Sequence, residues 1–139
     1  MKKNIGRLLL FFALLPLCMT MGCGKEKENY TKTGDVDFTV VQEADVPKEL
    51  LNVIKERKSE PFQLTYLAED AFYLAQGYGE QSSGGYSIAV EELYRAKEGI
   101  CLKTTLIGPA ADEKVTMAVT YPYIVIKLPR METEVHFMD

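Results

Sequence analysis

The chain has one histidine, no tryptophan and three cysteines spaced 5 and 78 positions apart among its 139 residues. Structural zinc and iron-sulfur sites need several thiolate or imidazole ligands at short spacings, and this set cannot assemble them, so no metal or other cofactor is expected. A lone His136 also leaves acid-base and nucleophile pairs without their commonest member. Positive charge is scarce too. Lys2, Lys3 and Arg7 are the only charged residues of the first 22, so residues 23–139 hold 13 basic against 20 acidic side chains, a net of −7. Nucleic acid demands clustered Lys and Arg, so it is excluded as a partner. What is present is ordinary globular usage, 47% apolar and 26% charged, in a length that suits one domain.

The first 22 residues read as an export signal, with Lys2, Lys3 and Arg7 ahead of an apolar run that starts at Leu8. Even carried to Met21, that run falls short of the ~20 apolar residues a spanning helix needs, and Pro16 interrupts it. Gly22-Cys23 follows, and then the chain turns abruptly to Lys25-Glu26-Lys27-Glu28. This junction resembles a bacterial lipobox, although Thr20 stands where Leu is usual. The resemblance implies diacylation of Cys23, which would become the mature N-terminus outside the cytoplasm on a bacterial membrane. Two acyl chains are the number that makes attachment stable rather than transient. Residues 23–34 read as a polar tether; as a coil, its ten residues 25–34 would span about 16 to 19 Å. Cys18 leaves with the signal and Cys23 is acylated, so Cys101 has no internal partner and reads as a structural or incidental thiol.

Residues 35–139 form the single domain. Residues 35–42 alternate weakly through Val36, Phe38 and Val40 and predict a first strand. Asp45 as N-cap, Pro47 in the first turn and Val46, Leu50, Val53 and Ile54 at helical spacing predict one amphipathic helix over 46–58, stopped by Pro61. Beyond it every segment reads as strand: 62–67 with 71–78 as one hairpin, 86–94 with 100–107 as another, then 115–119, 123–128 and 132–138. The expected fold is mainly β with one helix packed on it. It is a small curled antiparallel sheet, closed as a barrel or stacked as a sandwich.

Four of the ten glycines fall between residues 77 and 85, in Gly77-Tyr78-Gly79-Glu80-Gln81-Ser82-Ser83-Gly84-Gly85-Tyr86. This is no phosphate cradle, because Ser82 replaces the third glycine, no Lys follows and the next element is a strand. Ser87 lacks the second glycine and the helix that a nucleophile elbow requires. Left open are a tight connection and a recognition loop formed by Gln81, Ser82, Ser83, Gly84, Gly85 and Tyr86.

This glycine-tyrosine segment, with Val115-Thr116 leading to Pro122-Tyr123-Ile124-Val125-Ile126-Lys127-Leu128-Pro129, resembles the C-terminal domain of the protease complex subunit PrcB family. The resemblance runs from about Tyr73 to Pro129 and departs from the family pattern at Ser82-Ser83 and Met117. It implies a small exported β-rich domain that is accessory to a surface protease. A shorter likeness, to the chagasin-like inhibitors of cysteine peptidases, also rests on a Gly-Tyr loop between strands.

No catalytic set emerges. His136 alternates with Val135 and Phe137 and is expected to face solvent, and the pairs Glu91-Glu92 and Asp112-Glu113 read as solvated charges. The expected function is therefore non-enzymatic. A membrane-anchored lipoprotein would bind or help assemble a protein partner, with a peptidase inhibitor presenting Gly84-Gly85-Tyr86 as the alternative and a generic solute-binding role as a third.

Overall fold

A computed structural model describes residues 30–138; the stretch expected to be an export signal, with Cys18 and Cys23, lies outside that range. In chain order the strands are β1 (Lys32–Asp35), β2 (Thr39–Val40), β3 (Pro61–Leu67), β4 (Ala71–Tyr78), β5 (Ser87–Ala96), β6 (Gly99–Ile107), β7 (Tyr123–Pro129) and β8 (Val135–Met138), with one helix, α1 (Lys48–Arg57), between β2 and β3. They make two four-stranded sheets, ordered β1-β5-β6-β8 and β2-β7-β4-β3. The architecture is two layers of sheet and not a closed barrel, so of the two arrangements left open the barrel is excluded.

Period-2 alternation explains the layering. Phe72 and Leu74 of β4 with Ile124, Ile126 and Leu128 of β7 meet Ile100 and Leu102 of β6 in one buried cluster, which lies between the sheets. The opposite residues of β4 and β7, namely Ala71, Tyr73, Ala75 and Val125, join Leu50 and Ile54 of α1 in a second cluster. Strand β4 is thus buried on both faces, which is why it reads as a nearly continuous apolar run. Helix α1 begins two residues later than its apolar pattern suggested: Pro47 occupies the N-cap in an extended conformation, and Asp45 closes a 3₁₀ turn, Glu43–Asp45, instead of capping. Lys55 and Arg57 fill its last turn, where positive charge suits the helix dipole.

Both expected hairpins are present, β3 with β4 and β5 with β6, in antiparallel register. Three expectations are corrected. The single strand over 35–42 is two short strands in different sheets, because the chain crosses between layers after Asp35 and buries Val36 on the way. Residues 115–119 do not form a strand; only Thr120 makes a bridge, to Gln81. The last strand, β8, runs parallel to β6, pairing Ile100 with Val135 and Lys103 with Met138, so the first sheet is mixed. The folded part also takes in Tyr30 and the Lys32–Gly34 portion of β1, which fall within the expected tether. Among the described residues no helix is long and apolar enough to cross a membrane.

Candidate functional site

The register places several connections at one end of the sandwich. Ser87 of β5 pairs with Ile107 of β6, Gly77 of β4 with Tyr123 of β7, and Pro61 of β3 with Tyr78 of β4. The glycine-rich loop and the long connection 108–122 therefore leave the sheets together. They are tied by backbone hydrogen bonds: Gln81 and Thr120 exchange N–H to C=O bonds of 2.8 and 3.0 Å, and the Gly84 amide donates to the Thr116 carbonyl at 2.8 Å. The Thr120 hydroxyl adds a bond to the Ser83 carbonyl at 2.7 Å. Beneath the loop, the Tyr78 hydroxyl donates to Thr104 Oγ1 at 2.5 Å, and the Thr104 hydroxyl in turn donates to Gln76 Oε1 at 2.8 Å. This chain of hydroxyls and amide spans from β4 to β6 and satisfies the buried Thr104.

Two glycines have conformational reasons to be here. Gly79 adopts φ +80° against Pro61, and Gly85 adopts φ +90° with Val115 and Pro109 so close that an added Cβ would lie 2.5 Å from Val115 Cγ1. The Tyr86 ring lies over Gly108.

The six loop residues are held differently. Ser82 and Gly85 are exposed, Gln81, Gly84 and Tyr86 are half-buried, and Ser83 is buried with its hydroxyl turned onto the Gly84 carbonyl at 3.0 Å. Gln81, Ser82 and Ser83 thus do not project together. What the sequence reading missed is the other half of this end. Met117 is 80% exposed and Val119 49% exposed on the segment clamped to the loop, and Ile107, at the same end, is 47% exposed. The signal that could have found them is Val115-x-Met117-x-Val119 itself, an alternation read as a strand with a buried face. An open groove of about 580 Å³ adjoins the loop between residues 56–63 and 76–78. Arg57, Glu56 and Glu60 lie in its wall beside Pro61 and Phe62. Lys58 sits 5.0 Å from the centre of the Tyr121 ring.

Cys101 and His136 lie at the other end. Cys101 lies on the face shared with Lys103, as alternation predicts, yet it is fully buried because β6 is an interior strand between β5 and β8. Burial pushes its thiol up, a hydrogen bond with Tyr94 opposes this, and Glu98 and Glu92 raise it further. A raised thiol stays protonated at mildly alkaline pH, and the thiolate is the reacting species. In a chain carrying Cys18→Ser and Cys23→Ser, Cys101 should resist a disulfide reagent at pH 8 until denaturant is added; rapid labelling of the native protein would contradict this. His136 is not turned to solvent. It stacks on Tyr30 with ring centres 4.4 Å apart.

Among the described residues, no group of three or more His, Cys, Asp or Glu converges as a metal site. Neither curated proteins nor solved structures give a match to the chain. A family model does match, over residues 72–129, which run from the second residue of β4 through the clamped loop pair to the end of β7. Resemblance at the Gly-Tyr and Pro-Tyr motifs and this match agree on one family: residues 72–129 match the model of the PrcB C-terminal domain.

Proposed function

We propose that the protein is an exported lipoprotein, anchored through Cys23, whose domain binds or helps assemble a protein partner in a protease complex, with no catalysis of its own. The observation that carries this reading is the pairing of Met117 and Val119, both exposed, with a loop that is fixed by backbone hydrogen bonds. Exposed apolar side chains on a mobile tail would be unremarkable. On a preorganised segment they offer a partner contact area at little ordering cost. The match of residues 72–129 to the PrcB C-terminal family supports a setting around a protease. The inhibitor alternative gains less support, because Tyr86 rests on Gly108 and Ser83 is buried, so the Gly84-Gly85-Tyr86 apex has little side chain to insert into a cleft.

Two experiments test the two halves of the reading. Metabolic fatty-acid labelling should mark the wild type and not Cys23→Ala; equal labelling of both would remove the anchor. Crosslinking in the native envelope, followed by identification, should recover a protease component with the wild type, and Met117→Ser with Val119→Ser should lose it without lowering the melting temperature. Retention of that product by the double variant would place the contact elsewhere.

A further inference from the structure

We infer that the domain is mounted with its Tyr30 end toward the bilayer and the 79–86 and 115–120 end away from it. The partner then reaches the site from the aqueous side and not from lipid. This rests on the acylation of Cys23 proposed above.

The chain enters the fold at the end opposite the site. Strand β1 pairs with the far end of β5, Lys32 opposite Ala96 and Asp35 opposite Tyr94, whereas the loop leads into Ser87 at the near end. Tyr30 is pinned there. Its ring stacks on His136, its hydroxyl lies 3.2 Å from His136 Nδ1, and its carbonyl accepts from the Tyr94 hydroxyl at 3.3 Å. His136 Nε2 is 3.1 Å from the Glu98 carbonyl, which can only accept, so Nε2 carries the proton and Nδ1 accepts from Tyr30. The clamp gives the lone histidine a task that no binding or catalytic role accounts for: it sets the point at which the anchored stretch meets the body.

Distances then decide the posture. Whatever path residues 24–29 take, the seven peptide steps from Cys23 to Tyr30 reach at most about 25 Å. Strand β5, from Ser87 to Ala96, is about 30 Å long at the usual rise, and the loop and the 108–122 connection lie beyond Ser87. An inverted domain, resting its site on the membrane, would need an anchor longer than the chain supplies. A domain lying on its side would press a body of net charge −7 onto anionic headgroups, which repel it.

The test uses the acylated full chain in vesicles of phosphatidylcholine and phosphatidylglycerol doped with nitroxide-headgroup lipid. Ser82→Cys and Lys97→Cys, both at exposed positions, are labelled separately with a thiol-reactive fluorophore; Cys101 is buried and stays unlabelled. Quenching should be several-fold stronger at position 97 than at position 82. Equal quenching, or stronger quenching at 82, in protein whose acylation is verified by mass would overturn the orientation while leaving the anchor intact. Absence of the acyl mass on Cys23 would overturn the anchor itself, and the orientation with it.

Discussion

Leu74→Ala should lower the stability of the domain by about 2 to 5 kcal/mol, the range for emptying a large aliphatic site that cannot collapse. Leu74 is fully buried in β4, at the level where β4 and β7 of one sheet face β6 of the other. Its neighbours are strand residues held by ladders on both sides: β4 is hydrogen-bonded to β3 and to β7 over seven paired positions each. Such a framework relaxes little, so the lost side chain leaves a void and lost contacts instead of a repacked core. For a single domain whose total stability is of order 5 to 15 kcal/mol, the effect is large. A urea titration followed by circular dichroism should show the midpoint falling with an unchanged slope. Met117→Ala is the matched control, since a residue 80% exposed should change stability by no more than about 0.5 kcal/mol. A shift for Leu74→Ala as small as that of the control would mean that the two sheets do not share a tightly packed core.

Leu74 also illustrates how much of this fold is legible in the sequence. Alternation assigns each strand residue to a face, and it does so correctly through β4, β6 and β7. Helical spacing likewise finds Leu50 and Ile54 as the buried positions of α1. Alternation does not say which strand lies alongside, because pairing depends on residues far away in the chain. Alternation thus sets Cys101 on the face of Lys103 but shows nothing of the covering strands that bury it. The same blindness hides the parallel pairing of β8, and it hides the stacking of His136 on Tyr30, residues that are 106 positions apart. Val36-x-Phe38-x-Val40 continues its alternation straight through a crossover between sheets, since nothing in period-2 spacing marks a change of layer. Val115, Met117 and Val119 alternate without a partner strand, and Met117 and Val119 stay exposed, so the alternation that makes this segment look like core is the one that hides its contact surface. The glycine-rich half of the site was legible because glycine density reports backbone demands directly. Its apolar half is a matter of exposure, which is a property of the fold.

Gly85→Ala should destabilise the domain by about 2 kcal/mol or more, while Gly84→Ala, one residue earlier, should be almost neutral. At Gly85 two costs add. A left-handed backbone conformation costs a side-chain-bearing residue roughly 1 to 2 kcal/mol, and φ here is +90°. An added Cβ would also fall 2.5 Å from Val115 Cγ1 and 2.9 Å from Pro109 Cβ, so Val115 or the backbone must move. At Gly84 the φ is not positive and the nearest atom to an added Cβ, Thr116 Cβ, is 3.7 Å away, an ordinary contact. If anything, alanine there restricts the unfolded chain and offsets part of any strain. The pair discriminates because Val115 belongs to the connection that carries Met117 and Val119. Displacing it should loosen the three backbone hydrogen bonds between residues 81–84 and 116–120, and hydrogen exchange of the Gln81, Gly84 and Thr120 amides should accelerate in Gly85→Ala and not in Gly84→Ala. Partner capture should follow the exchange rates. If Gly85→Ala melts early but keeps those three amides protected and still captures the partner, the clamp is not what presents the apolar residues. Equal losses of stability in the two variants would instead show that a shared requirement for glycine, and not the positive φ of Gly85, governs this turn.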